Sequence, residues 1–131
     1  RTAEGAGVTG ILMSRDTVDI FNPKTIRATM GSIFRVPFVY VPELSTVLTQ
    51  MHEKGIHTYA AHLKGQKYYD SFSFREPTAF LIGNEGNGLT KEISDQAGQY
   101  LKIPMEGKVE SLNASIAAAL LMYEAHRQRN L

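Results

Sequence analysis

A glycine-rich loop after an apolar segment is the part of this sequence best suited to bind a ligand. The apolar residues 80–82 lead into residues 83–90, which contain three glycines, two asparagines and one carboxylate, Glu85. Ligands of open α/β sheets bind at the carboxyl ends of the strands. The spacing approaches that of a P-loop, but Leu89 replaces the phosphate-binding lysine and Glu85 would repel an anion. The loop favours a neutral or cationic polar ligand, with a plain turn as the alternative.

A second polar loop follows another apolar segment. Residues 103–115 pass through Pro104 and Gly107 to Ser111 and Asn113, either of which can cap the last helix. A helix cap explains this loop locally. It does not explain why two loops of this kind each follow an apolar strand in one short chain. We therefore expect the two loops to form two walls of one pocket.

Other apparent motifs are weaker. Residues 5–10 match the G-x-G-x-x-G spacing of dinucleotide sites, but helix-like residues precede them and a strand-like segment follows, the reverse of the required order. We interpret these glycines as the end of a helix. No zinc-binding motif accompanies the four histidines, so we expect no metal site; they are His52, His57, His62 and His126.

Composition limits the possible functions. The chain has 131 residues, 43% of them hydrophobic, which suits a single domain over residues 1–131. Fourteen basic residues against thirteen acidic ones leave a net charge of +1, so any nucleic-acid site must be local. The absence of cysteine excludes disulfides and thiolate nucleophiles and fits the cytoplasm. No apolar run has the roughly 18 residues that span a bilayer, so we expect no membrane partner.

Strands and helices alternate in the hydrophobic pattern, which predicts an α/β fold with a mainly parallel sheet flanked by helices. The apolar strands lack polar alternation, which suggests a sheet covered on both faces. Strands are predicted at residues 10–13, 38–41, 58–61, 79–82 and 100–103. Helices are predicted at residues 22–31, 44–55, 91–97 and 113–129, with residues 64–77 as a loop or short edge strand. On the last helix, one stripe carries Leu112, Ile116, Leu120 and Tyr123.

The chain begins at Arg1, without a methionine, and residues 1–6 read as the last turns of a helix. We expect a fragment of a longer protein.

Three segments resemble the motifs of the SpoU/TrmH branch of the SPOUT superfamily of RNA methyltransferases. Residues 1–7 resemble the end of the first motif, and residues 81–89 resemble the second. Residues 103–113, continuing to Tyr123 and Glu124, resemble the third. The motifs occur in order and cover nearly the whole chain.

The resemblance implies a deep trefoil knot in the C-terminal half, an exception to the rule that chain connections do not thread loops. It also implies S-adenosylmethionine as cofactor, methyl transfer to a ribose 2′-hydroxyl of rRNA or tRNA, and a homodimer. The family's cofactor-binding positions fall on seven residues, with the loop from Ala61 to Leu63 closing the adenine side. They are Leu63, Gly83, Asn84, Gly88, Ile103, Met105 and Leu112.

The resemblance assigns catalytic or substrate-positioning roles to Arg1, Glu85, Ser111 and Asn113. A guanidinium stays protonated, so Arg1 suits a phosphate ligand better than a general base. The resemblance assigns no general base, and alignment of the reacting atoms can supply much of the catalysis.

The chain departs from the family pattern at its start, because the Asn and Gly that precede the motif-one arginine, and the strand before them, are missing. Arg1 is thus a terminal residue, which places the activity of this chain in question. The N-terminal RNA-recognition extension of many relatives is missing too, in agreement with the near-neutral charge. Two alternatives therefore accompany the ribose methyltransferase: a catalytically silent RNA-binding or dimerisation module, and a SPOUT enzyme that methylates a base.

Overall fold

Two separate parallel sheets organise the computed structural model, which describes residues 1–131. The chain divides into two units, Arg1–Leu44 and Ser45–Leu131, and each contains one of the sheets. No helix combines the length and apolar character needed to cross a bilayer. The predicted α/β class with parallel strands is confirmed, whereas the knot stays a prediction.

The first unit contains a two-stranded sheet and short helices. In chain order these are α1 (Thr2–Gly5), β1 (Ile11–Met13), α2 (Pro23–Thr29), a 3-10 helix (Ser32–Phe34) and β2 (Phe38–Tyr40). The chain turns at Gly7 with φ +80° after α1, so the glycine-rich segment ends a helix as predicted. Asn22 caps α2 by accepting a hydrogen bond of 2.9 Å from the backbone N–H of Lys24, and Pro23 follows in the first turn.

Strands β1 and β2 pair in parallel, with Ile11 opposite Phe38. The expectation of a sheet covered on both faces is wrong for this pair within the chain, because Ile11, Leu12 and Val39 are exposed. A continuous apolar run indicates a strand, but the run alone does not say what covers its two faces.

The second unit contains a three-stranded parallel sheet of order β4-β3-β5. Its elements are α3 (Leu44–Glu53), β3 (His57–Ala61), a 3-10 helix (Tyr69–Ser71), β4 (Thr78–Leu81), α4 (Lys91–Gln96), β5 (Gln99–Leu101) and α5 (Ala114–Arg129). Every strand and helix that the hydrophobic pattern predicts is present, with ends displaced by one or two residues. The connections from β3 to β4 and from β5 to α5 are largely irregular, and both candidate cofactor loops lie after strands of this sheet.

The core of the second unit lies on one face of this sheet. Tyr59, Phe74, Leu101 and Leu121 form a buried cluster, and the ring centroids of Tyr59 and Phe74 are 5.0 Å apart in an edge-to-face arrangement. The stripe predicted on α5 does not face this core. Leu121, Ala125 and Gln128 are the buried side chains of α5, whereas the stripe is exposed. That stripe consists of Leu112, Ile116, Leu120 and Tyr123.

Candidate active site

The loop after β4 closes tightly on itself. The backbone N–H of Gly88 donates to the carbonyl oxygen of Asn84 at 2.9 Å, and the N–H of Asn87 donates to the Asn84 side chain at 2.7 Å. A Cβ atom on Gly83 would lie 2.1 Å from the carbonyl carbon of Gly88. Since no side chain fits at that distance, the loop shape requires glycine at position 83. Gly88 itself has φ +66°, a second position that favours glycine.

Glu85, at the tip of this loop, contacts the loop that precedes α5. The side-chain N–H of Asn113 donates to a carboxylate oxygen of Glu85 at 2.7 Å. Both side chains are exposed, so they remain accessible to a substrate. The two loops therefore adjoin at this contact, whereas a pocket walled by both of them stays a prediction.

Asn113 is also the N-cap of α5. Its Oδ1 accepts hydrogen bonds from the backbone N–H groups of Ser115 at 2.9 Å and Ile116 at 3.3 Å, and from the Ser115 hydroxyl at 2.5 Å. These three donors fix which end of the amide faces the helix. The Nδ2 end is therefore directed towards Glu85.

The loop between β5 and α5 leaves its polar backbone groups free. None of the backbone N–H groups from Met105 to Leu112 donates a hydrogen bond within the chain, and Gly107 turns with φ +71°. Free N–H and C=O groups of this kind can bind a polar ligand. The hydroxyl of Ser111 is exposed and makes no hydrogen bond within the chain.

Three predicted cofactor contacts differ in burial. Leu63 is 65% exposed and Leu112 is 37% exposed, so both offer apolar surface to a ligand. The Ile103 side chain instead is partly buried and packs against the core cluster. Asn84 and Met105 lie in the same two loops.

Arg1 lies in the first unit, at the N-cap of α1. Its side chain is exposed and caps no backbone group. The other catalytic candidates all belong to the second unit.

Two contacts near the candidate site were not predicted from sequence. The Ser115 hydroxyl binds Asn113, and the ring of His62 stacks on Tyr100 with 4.6 Å between centroids. The serine two positions after an N-cap asparagine was a usable signal. The stack joins residues 38 positions apart, and no local pattern indicates it.

Residues 1–123 match the family model of the SpoU rRNA Methylase family. The chain belongs to the SpoU rRNA methylase family. It is 35% identical over 130 residues to a Bacillus subtilis (strain 168) protein described as a TrmH family tRNA/rRNA methyltransferase, covering 99% of this chain and 52% of that protein.

Solved structures of this family share the fold. The SpoU methyltransferase AviRb from Streptomyces viridochromogenes, in complex with AdoMet, superposes with a TM-score of 0.91 at 33% identity, covering 99% of this chain and 51% of that one. A structure described as an RNA 2′-O ribose methyltransferase superposes with a TM-score of 0.87 at 34% identity, covering 99% and 50% of the two chains. This SpoU-family chain therefore spans about half the length of these relatives.

Proposed function

We propose that residues 1–131 form the catalytic domain of an enzyme that transfers a methyl group from S-adenosylmethionine to a ribose 2′-hydroxyl of rRNA or tRNA. The observation that carries the proposal is the 2.7 Å hydrogen bond between Asn113 and Glu85, which joins the second and third family motifs at one accessible point. The family and its AdoMet-bound member support the cofactor and the reaction class.

The residues of the two loops fit this cofactor. S-adenosylmethionine, when bound, supplies a methyl group on a positively charged sulfur with a good leaving group. The loop segments 83–89 and 103–112 carry free backbone groups for a polar purine, apolar side chains, and one carboxylate, Glu85, that suits a cation. We propose that Leu63, Gly83, Asn84, Gly88, Ile103, Met105 and Leu112 hold it.

The four catalytic candidates have distinct roles in this proposal. The Arg1 guanidinium stays protonated and holds an RNA phosphate beside the target ribose. Glu85, held by Asn113, orients the ribose 2′-hydroxyl through a carboxylate oxygen. The Ser111 hydroxyl, which has no partner in the chain, donates to the RNA. Orientation of the reacting oxygen is the main contribution of these side chains.

Calorimetric titration with S-adenosylhomocysteine and a methylation assay test this function together. We expect the wild-type chain to bind S-adenosylhomocysteine and to transfer label from tritiated S-adenosylmethionine to total RNA, with the product identified as a 2′-O-methyl nucleoside. The Glu85→Gln variant keeps the shape of the side chain and should bind the cofactor product yet lose methyl transfer.

The outcomes separate the alternatives. A folded wild-type chain that binds no S-adenosylhomocysteine contradicts the proposal and favours a catalytically silent module. Methylation on a base, with no 2′-O-methyl product, contradicts the assignment to ribose. The same proposal places the enzyme in the cytoplasm, where its RNA substrates occur and where a chain without cysteine is suited to reducing conditions.

We also propose that the chain forms a homodimer through the exposed stripe of α5. Three side chains of this stripe help to line a surface depression of about 400 Å³. Its lining is Tyr69, Ile116, Ala119, Leu120, Tyr123 and Glu124. Large and small apolar side chains alternate there, so a second copy related by a two-fold axis can place Leu120 beside Ala119 of the first.

Sedimentation equilibrium at micromolar concentration tests the dimer. Leu120→Glu puts a charge into the stripe and should give a monomer, whereas Thr49→Glu, on the exposed surface of α3, should leave the dimer intact. A wild-type monomer at this concentration contradicts the proposal.

A further inference from the structure

We propose that a row of aromatic and lysine side chains at β5 and the loop after β3 binds a single-stranded segment of RNA. The row consists of His62, Tyr68, Tyr100 and Lys102. This inference rests on the proposed function, because it names the surface by which the catalytic unit would hold its RNA.

Strand register places these side chains on one face. Leu101 is fully buried in the core, so its neighbours Tyr100 and Lys102 project from the opposite face of the strand. Tyr68 pairs with Lys102 in a parallel bridge, and residues paired across adjacent strands share a face. The bridge is formed by two backbone hydrogen bonds, from Lys102 to Lys67 at 3.0 Å and from Tyr69 to Lys102 at 2.9 Å.

The rings of the row are held in place before any ligand binds. His62 and Tyr100 stack with an interplanar angle of 16° and 4.6 Å between centroids. The backbone N–H of Lys64 donates to Nδ1 of His62 at 3.0 Å, and the Tyr100 hydroxyl donates to Asp95 at 2.8 Å. A stack with both rings fixed loses little side-chain entropy when a base packs against it. Tyr68 is 49% exposed and is available for the same contact.

Three lysines lie within the row or close to it in the sequence. Lys64, Lys67 and Lys102 make no ion pair within the chain. Asp95 is the carboxylate that contacts the row, and its second oxygen binds Lys91 at 2.7 Å. Unpaired lysine ammonium groups beside the rings are therefore free to bind phosphates.

This combination is the chemistry of single-stranded RNA binding. Aromatic faces stack on unpaired bases of any sequence, and lysines follow the sugar-phosphate backbone. The site is local, as the net charge of +1 requires. The same loop carries Leu63, and β5 continues into Ile103, so both segments of the row run directly into proposed cofactor contacts.

Fluorescence anisotropy with a labelled single-stranded RNA of mixed sequence, measured over a range of salt concentrations, tests the inference. Tyr68→Ala should weaken RNA binding by about five-fold or more, whereas Tyr68→Phe keeps the ring and should bind as wild type. Lys102→Gln should reduce the slope of log K against log salt by about 0.7. Lys54→Gln, an exposed lysine at the end of α3, is the matched control and should change neither quantity.

The same variants are titrated with S-adenosylhomocysteine, and circular dichroism checks that each is folded. The proposal that the row binds RNA is contradicted if wild type binds no RNA. It is also contradicted if both Tyr68→Ala and Lys102→Gln bind RNA as wild type does. If S-adenosylhomocysteine binds normally in that case, the proposed function stands and only the RNA-binding role of the row is rejected. If instead the row variants lose RNA binding while wild type binds no S-adenosylhomocysteine, the row is supported and the methyl-transfer proposal fails.

Discussion

The side-chain amide of Asn113 joins the first turn of α5 to Glu85, 28 residues earlier in the chain. Its Oδ1 accepts hydrogen bonds at the start of the helix, and its Nδ2 donates to the Glu85 carboxylate oxygen at 2.7 Å. The amide cannot turn over without losing both sets of hydrogen bonds. The position of Glu85 is thus coupled to the start of α5.

Asn113→Asp separates the two roles of this residue. Aspartate caps a helix about as well as asparagine, so thermal stability should stay close to wild type. It places a second carboxylate next to that of Glu85. The two negative charges repel, so the Glu85 side chain moves away from its wild-type position. We expect methyl transfer to fall about a hundred-fold, with S-adenosylhomocysteine affinity little changed.

Asn113→Ala is the companion variant for this test. It removes the cap as well, and unfolding should then cost about 1 kcal/mol less than in wild type. Full methylation activity in Asn113→Asp would show that the contact with Glu85 does not position the site.

Gly83→Ala should abolish S-adenosylhomocysteine binding in a chain that still folds. The added Cβ would meet the backbone of Gly88 at 2.1 Å, so the loop after β4 must open. Gly86→Ala is the control in the same loop, since its Cβ would find only the Asn84 side chain at 3.6 Å, an ordinary contact. Calorimetry on both variants measures the difference, and equal affinities would rule out a role for the closed loop.

The Glu4–Arg35 ion pair should make the stability of the first unit depend on acid pH. Hydrogen bonds from Arg35 and then Ser32 lower the pKa of Glu4 from 4.5 to about 2. Because the folded-state pKa is the lower one, the stabilisation is fully present above about pH 4.5 and is lost as the pH falls towards 2.

Thermal unfolding of wild type and Glu4→Gln across this range checks that dependence. The variant should be less stable above pH 4.5, and the difference should shrink as the pH approaches 2. Glu43→Gln is the control, because Glu43 makes no ion pair in the chain. A constant difference between wild type and Glu4→Gln at all pH values would argue against the pair.

Gln128→Met should destabilise the second unit by about 1–3 kcal/mol. The buried Gln128 side chain accepts from the Phe74 N–H at 2.6 Å and donates to the Phe72 carbonyl at 2.9 Å, and methionine leaves both groups without a partner. Lys91→Ala breaks an exposed ion pair with Asp95 in the same unit and should cost less than about 1 kcal/mol. Urea unfolding compares the two, and equal losses would contradict a special role for Gln128.

Local signals in the sequence were sufficient to predict the strands and helices and to single out the two candidate loops. Asn22-Pro23 marks the start of α2, and the glycine and asparagine content after β4 indicates a ligand loop. The adjacency of Glu85 and Asn113 followed from both loops coming after parallel strands.

The same local signals could not predict which side chains pack together over long distances in the sequence. Hydrophobic periodicity on α5 identifies a stripe with Leu120 and Tyr123 but cannot say that Leu121 and Gln128 face the core instead. That choice depends on Phe74, far away in the chain and in a segment without periodic pattern. The stack of His62 on Tyr100 depends in the same way on the pairing of β3 with β5.

The hydrogen bonds of Gln128 set an order of events during synthesis. The backbone of Phe72 and Phe74 is bound by a side chain 54 to 56 residues further along the chain. On the ribosome, these two residues emerge well before their partner is translated. The segment between β3 and β4 therefore acquires its final structure only when the C-terminal helix docks, and a ribosome that stalls before position 128 leaves this unit open.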